Sequence, residues 1–174
     1  MKGLFPKVGV VGIIVAFVTI SFSSTPLAAE KKKFSWSSKR EKVISENILQ
    51  VYGDNRNVIK QGVSLDIITD ATDPNLIGAE QNVNWLYNLA VGKSVNERAI
   101  TITRTKDGDC FYTNRDVTFK VIKRDIAGRE YESESTFQFT GGTGKYEDIK
   151  GGGTCRGKVT AKEVSSKCEG EWEY

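Results

Sequence analysis

The segment from Phe139 to Gly151, FTGGTGKYEDIKG, is the most informative part of the sequence because it joins two strand-like segments through two groups of glycines. Glycine is needed where the backbone takes a positive φ angle or passes close to another strand. The segment therefore predicts a tight turn, a short helical bend from Gly144 to Ile149, and a glycine cluster leading into another strand. A phosphate-binding loop would need glycine in place of Phe139 and serine or threonine in place of Tyr146, so the segment does not fit that function.

Most of the remaining chain alternates apolar and polar residues with a period of two, which is typical of β-strands with one buried face. Turn-forming residues separate these segments, and no long segment keeps a helical period. Seven or eight such strands predict a closed antiparallel barrel or a sandwich, and periodicity alone does not choose between them. The predicted buried faces comprise Val63, Leu65 and Ile67; Val83, Trp85, Tyr87, Leu89 and Val91; Ile100 and Ile102; Val117, Phe119 and Val121; Tyr131, Phe137 and Phe139; and Trp172 and Tyr174.

The glycine turn also resembles the signature of the allene oxide cyclase and dirigent barrels. An aromatic strand end, the run GGTG from Gly141 to Gly144, a basic residue, an aromatic residue and a further glycine carry this resemblance. It is specific from Thr136 to Tyr174 and only topological before that. The chain is most similar to small exported bacterial proteins that share this turn and have no assigned activity. The resemblance implies a single antiparallel eight-stranded barrel, commonly trimeric, with an internal cavity.

The amino terminus has the pattern of a secretory signal peptide over residues 1–29. Lys2 and Lys7 precede an apolar run from Val8 to Ile20, and small and polar residues follow up to Ala29. The apolar run is shorter than a membrane-spanning helix requires, although an uncleaved anchor is the alternative. We therefore predict a signal peptide (1–29), a charged tail (30–42) and a β-barrel domain (43–174), exported to the periplasm or the extracellular space.

The charge balance argues against nucleic acid as a partner. The chain has 25 basic and 22 acidic residues, and removal of Lys2 and Lys7 with the signal peptide leaves 23 basic residues. A mature protein so close to neutrality lacks the positive field of a nucleic-acid-binding protein.

Three cysteines lie in the predicted mature part, where an oxidising compartment favours disulfides. Cys155 and Cys168 flank a predicted hairpin turn, and their pairing would place basic residues on one strand beside acidic residues on the next. We therefore predict a Cys155–Cys168 disulfide. Cys110 is expected to be a small buried apolar residue, with a reactive or intermolecular thiol as the alternative.

The chain contains no histidine, which excludes histidine-dependent nucleophiles and histidine metal sites. Three scattered cysteines offer no zinc site, and we predict no metal, cofactor or catalytic residue. Carboxylates inside the barrel could transfer protons, but Asp66 alternates onto the polar side of its strand. The same alternation places on the outer surface Glu132, Glu134, Glu169, Glu171 and Glu173.

The aromatic face is predicted to form either a packed core or the lining of a cavity for a small apolar ligand. Its members are Trp85, Tyr87, Phe119, Phe137, Phe139, Trp172 and Tyr174. We predict a non-catalytic protein that binds a small apolar ligand or a protein partner. The first alternative, implied by the resemblance, is an isomerase that cyclises a fatty-acid epoxide or a protein that directs phenoxy-radical coupling. The dirigent activity requires acids and an arginine in the cavity, and no such residues can be aligned here. The second alternative is an oligomeric component of the cell envelope, such as a homotrimer.

Overall fold

A computed structural model describes residues 30–50, 57–90, 95–125 and 128–174 of the chain. The predicted signal peptide, residues 1–29, lies outside the described residues. In the described part no helix is long and apolar enough to cross a membrane.

The fold is a closed antiparallel barrel of eight strands, which confirms the predicted fold class. Each strand pairs with the next strand in the sequence, and the first strand pairs with the last to close the sheet. The strands are β1 (Lys32–Gln50), β2 (Asn57–Ala71), β3 (Glu80–Ala90), β4 (Val95–Arg104), β5 (Cys110–Asp125), β6 (Gly128–Gly142), β7 (Lys150–Val159) and β8 (Val164–Glu173). Closure gives each strand a partner on both sides, although β1 beyond Lys39 pairs with β2 alone.

The predicted boundary between a charged tail and the barrel is wrong. Strand β1 begins at Lys32, so most of the segment 30–42 is part of the barrel wall. Its charged residues concealed an alternating pattern in which Phe34 and Trp36 point inward and are 3% and 2% exposed. The pairing of β1 with β8 holds this segment in place and completes the barrel.

Two short 3-10 helices cover one end of the barrel, which we call the closed end. They span Pro74–Leu76 between β2 and β3 and Gly144–Tyr146 between β6 and β7. The second confirms the helical bend predicted within the glycine turn. Leu76 and Tyr146 are both 0% exposed, so each helix places one large side chain over the aromatic core. That core contains Phe34, Trp36, Ile68, Leu76, Ala79, Phe111, Phe137, Phe139, Tyr146, Ile149, Cys155, Cys168 and Trp172.

The predicted buried faces of β2 and β4 are wrong. On β4 Ile100 is 55% exposed, whereas Thr101 is 1% exposed and points inward. On β2 the inward residues Ser64 and Ile68 are both 0% exposed, so Asp66, which lies between them on the same face, also points inward. A period of two defines two faces of a strand but not which one faces the interior. Here the barrel interior accepts polar side chains from these two strands.

The glycine clusters serve tight turns and close packing of the backbone. Gly141 and Gly144 have φ angles of 133° and 57°, which side chains rarely adopt. Gly153 of β7 lies opposite Gly170 of β8, and a Cβ atom on either residue would collide with the backbone of the neighbouring strand. These glycines therefore allow the backbones of β7 and β8 to approach closely.

Candidate binding site in the barrel interior

The interior changes from filled to accessible along the barrel axis. At the closed end the inward side chains of β5 and β6, such as Phe111 and Phe137, are almost fully buried. Towards the opposite end, which we call the open half, the inward residues Phe119, Tyr131 and Ser133 are only half-buried. Side chains that face the interior and still contact solvent indicate space inside the barrel at this end. The open half is therefore where a small molecule could enter.

An ion pair lies inside the barrel at the border between these two halves. The Arg40 Nε atom of β1 donates a hydrogen bond to Asp66 Oδ1 of β2 at 3.2 Å, and the two residues are direct partners across the strands. Ser64 Oγ donates a second hydrogen bond to the same Asp66 oxygen at 2.9 Å. The Arg40 and Asp66 side chains are 24% and 14% exposed. The Asp66 carboxyl group is thus held within the barrel by one guanidinium and one hydroxyl group.

Glu97 and Arg115 place a second acid and a second base in the interior. Burial raises the pKa of Glu97 to about 7, and the nearby Arg40 and Arg115 guanidinium groups only partly oppose this effect. Burial also lowers the pKa of Arg115, whereas Asp66 and Glu97 raise it. The four ionisable residues therefore influence one another, and we call Arg40, Asp66, Glu97 and Arg115 the interior charge cluster.

Arg115 differs from Arg40 in its partners. Its Nη2 atom lies 3.8 Å from the Cys168 sulfur, and its guanidinium carbon lies 5.9 Å from the centre of the Phe137 ring. The Nε atom of Arg115 is buried and has no hydrogen-bond partner. Among the described residues no carboxylate lies within ion-pair distance of this guanidinium. Arg115 therefore contributes a desolvated positive charge that is compensated only at longer range.

The chain matches no protein-family model, no curated protein and no solved structure.

The Cys155–Cys168 disulfide is present, as predicted from the hairpin register. The two cysteines are direct partners on β7 and β8, with Cα atoms 4.0 Å apart, and both side chains point into the core. Cys110 is a free and buried thiol, which agrees with its interpretation as a small apolar residue. In the described ranges no three acidic or cysteine residues are grouped so that they could hold a metal ion.

The structure separates the aromatic residues that were predicted to share one site. Phe137, Phe139 and Trp172 lie in the packed core, and Trp85 lies in a second, smaller cluster with Val83 and Ala99. Phe119 is half-buried in the open half. Tyr174 is 42% exposed and packs on Tyr146 at the closed end. The side chain of Tyr87 lies outside the described residues.

Sequence reasoning missed the interior charge cluster. The predicted outer position of Asp66 is wrong, and Arg40, Glu97 and Arg115 were not singled out. One signal was available in the alternation of the strands. Each of these four residues lies two positions from another inward residue of its own strand and therefore shares its face. By contrast, the prediction for the acids of β6 and β8 holds for Glu132, Glu134, Glu169 and Glu171, which are exposed, whereas Glu173 is half-buried. Glu134 faces Arg156 on the outer wall at 3.6 Å.

Proposed function

We propose that this protein is an exported barrel that binds a small molecule in the open half of its interior and does not transform it. The observation that carries the proposal is the contrast between a filled aromatic end and an accessible end that contains charged groups. Buried charges are expensive to maintain for stability alone, and they are frequent where a protein recognises a ligand. The half-buried Phe119 and Tyr131 rings supply apolar contact surface in the same half.

Export is part of the proposal. The predicted signal peptide motivates it, and the Cys155–Cys168 disulfide is consistent with an oxidising compartment. A disulfide and a closed sheet also suit a protein that must hold its shape outside the cytoplasm.

Native mass spectrometry of the protein purified from its own host tests this function directly. Solvent extraction should release a small molecule at a fixed ratio to the protein. Absence of any released molecule, combined with failure to bind the neutral fluorescent probe N-phenyl-1-naphthylamine, would contradict the proposal. The same spectrum measures whether the protein is a trimer, which stays a prediction, as does a structural role in the envelope.

Two matched variants locate the binding. Ser135 points into the open half and is half-buried, whereas its neighbour Thr136 points outward and is exposed. Ser135→Phe should fill interior space and weaken probe binding, and Thr136→Phe adds the same ring to the outer wall and should leave binding unchanged. If both variants bind the probe like the wild type, the probe does not occupy the interior.

The second candidate function is that of the barrels which the glycine turn resembles. One observation favours it: acids and arginines lie together inside this barrel. The dirigent activity requires such residues, and they could not be identified from the sequence. The test is incubation of the purified protein with a fatty-acid epoxide and, separately, with phenoxy radicals generated by an added oxidant. A change in product stereochemistry would support this candidate, and unchanged products in both assays would reject it.

A further inference from the structure

We propose that Arg115 is the recognition point for the anionic group of the ligand, and that the ligand is a small aromatic carboxylate. This inference rests on the proposed function and names the ligand class of that same site. It follows from the unequal treatment of the two interior arginines. Arg40 forms an ion pair with Asp66 at 3.2 Å, whereas among the described residues the Arg115 guanidinium contacts the Cys168 sulfur and the Phe137 ring and no carboxylate.

The charge balance of the interior favours an incoming anion. The cluster contains two guanidinium groups and two carboxyl groups, but burial holds the pKa of Glu97 near 7, so this carboxyl is about half protonated at neutral pH. The interior therefore retains positive charge, and it retains more as the pH falls. A ligand carboxylate would balance the positive charge of the arginines that a protonated Glu97 does not balance.

The surroundings of Arg115 indicate the rest of the ligand. Arg115 lies in one cross-strand row with Trp85, Ala99 and Phe137, each the direct partner of the next. Ala99 is the small member of this row, between the Trp85 indole and the guanidinium. A planar carboxylate can accept two parallel hydrogen bonds from a guanidinium. Since Trp85 and Phe137 are almost fully buried, the ring of the ligand would extend from Arg115 along β5 towards the half-buried Phe119 ring of the open half. An aryl carboxylate combines both features.

The chain offers a matched control for the charge. Arg98 precedes Ala99 on β4, but its side chain points outward and is 89% exposed beside Asp116. Arg98→Gln removes one positive charge from the same region of the wall without altering the interior. Arg115→Gln removes the interior charge, and Arg115→Lys keeps the charge but loses the planar arrangement of donors.

The experiment measures binding of 4-fluorobenzoate and of its uncharged analogue 4-fluorobenzamide by ligand-observed fluorine NMR at pH 6. It uses the protein that accumulates when the 174-residue sequence is expressed. We expect the wild type to bind the carboxylate about tenfold more tightly than the amide, because only the carboxylate can form a charge-assisted pair of hydrogen bonds with the guanidinium. Arg98→Gln should keep this preference, Arg115→Lys should reduce it, and Arg115→Gln should abolish it while retaining the disulfide and the β-sheet circular dichroism spectrum.

Three results would overturn the assignment. The first is no carboxylate preference in the wild type, and the second is an unchanged preference in Arg115→Gln. The third is displacement of 4-fluorobenzoate by an equal concentration of inorganic phosphate. If Arg115→Gln does not fold, Arg115→Lys decides, since a preference equal to that of the wild type would exclude recognition by the guanidinium. Binding of N-phenyl-1-naphthylamine without carboxylate preference would leave the proposed function intact and reject this inference alone. Binding of neither probe, together with the absence of any molecule released on extraction, would reject both.

Discussion

Replacement of Glu97 by glutamine should make the protein more stable at alkaline pH and leave it almost unchanged at acidic pH. Glutamine has nearly the shape of a protonated glutamic acid and cannot ionise. In the folded barrel the Glu97 carboxyl has a pKa of about 7, compared with an ordinary value of 4.5, because burial penalises its charged form. Between pH 4.5 and about pH 7, the folded protein therefore keeps a proton on Glu97 that the unfolded chain releases.

The sign and the size follow from this difference. Below pH 4.5 both states are protonated, so Glu97 has no effect on the free energy of unfolding. Between pH 4.5 and 7 the unfolded state binds fewer protons, so stability falls as the pH rises, and above pH 7 the loss is complete. The difference between the two pKa values of Glu97, at 1.36 kcal/mol per pH unit, limits this loss in the free energy of unfolding to about 3 kcal/mol. Because water reaches the half-buried side chain, we expect the Glu97→Gln variant to gain about 1 to 3 kcal/mol at pH 8.

Urea unfolding at pH 5 and pH 8, followed by tryptophan fluorescence with the disulfide intact, measures this effect. The difference between variant and wild type isolates Glu97 from all other titrating groups. Glu134→Gln is the control, since that carboxylate lies on the outer wall with a 79% exposed side chain and should matter by less than about 1 kcal/mol at either pH. A Glu97→Gln variant that is equally stabilised at both pH values, or destabilised at pH 8, would refute the argument.

Three further substitutions test the interior, the disulfide and the core. Asp66→Asn removes the partner of Arg40 and should lower the free energy of unfolding by about 3 kcal/mol, which urea unfolding measures, and a neutral result would argue against an interior ion pair. Joint replacement of Cys155 and Cys168 by serine opens a loop whose ends are 13 residues apart and should cost about 3 kcal/mol, and an unchanged denaturation midpoint would contradict that expectation. Phe111→Ala empties a fully buried position of the aromatic core and should cost about 3 to 5 kcal/mol by the same assay, whereas a loss below 1 kcal/mol would show that the closed end is not tightly packed.

The candidate site shows where sequence reasoning fails. A carboxylate such as Asp66 is normally assigned to the solvent face, because an isolated charge is costly to bury. In the barrel this cost is offset by Arg40, which comes from another strand 26 residues away in the sequence. Arg115 and Glu97 likewise meet only because β4 and β5 lie side by side in the closed sheet. No local pattern encodes these encounters.

The strand-rich class could be predicted from the sequence alone, as could the glycine turn from Phe139 to Gly151 and the Cys155–Cys168 pairing. These features depend on neighbours along the chain or on one hairpin, so periodicity and turn chemistry suffice to predict them. The interior face of each strand, in contrast, becomes known only from the closed barrel. An alternating strand has two faces, and the closure of the sheet, together with cross-strand pairing of charges, turned Asp66 inward and Ile100 outward.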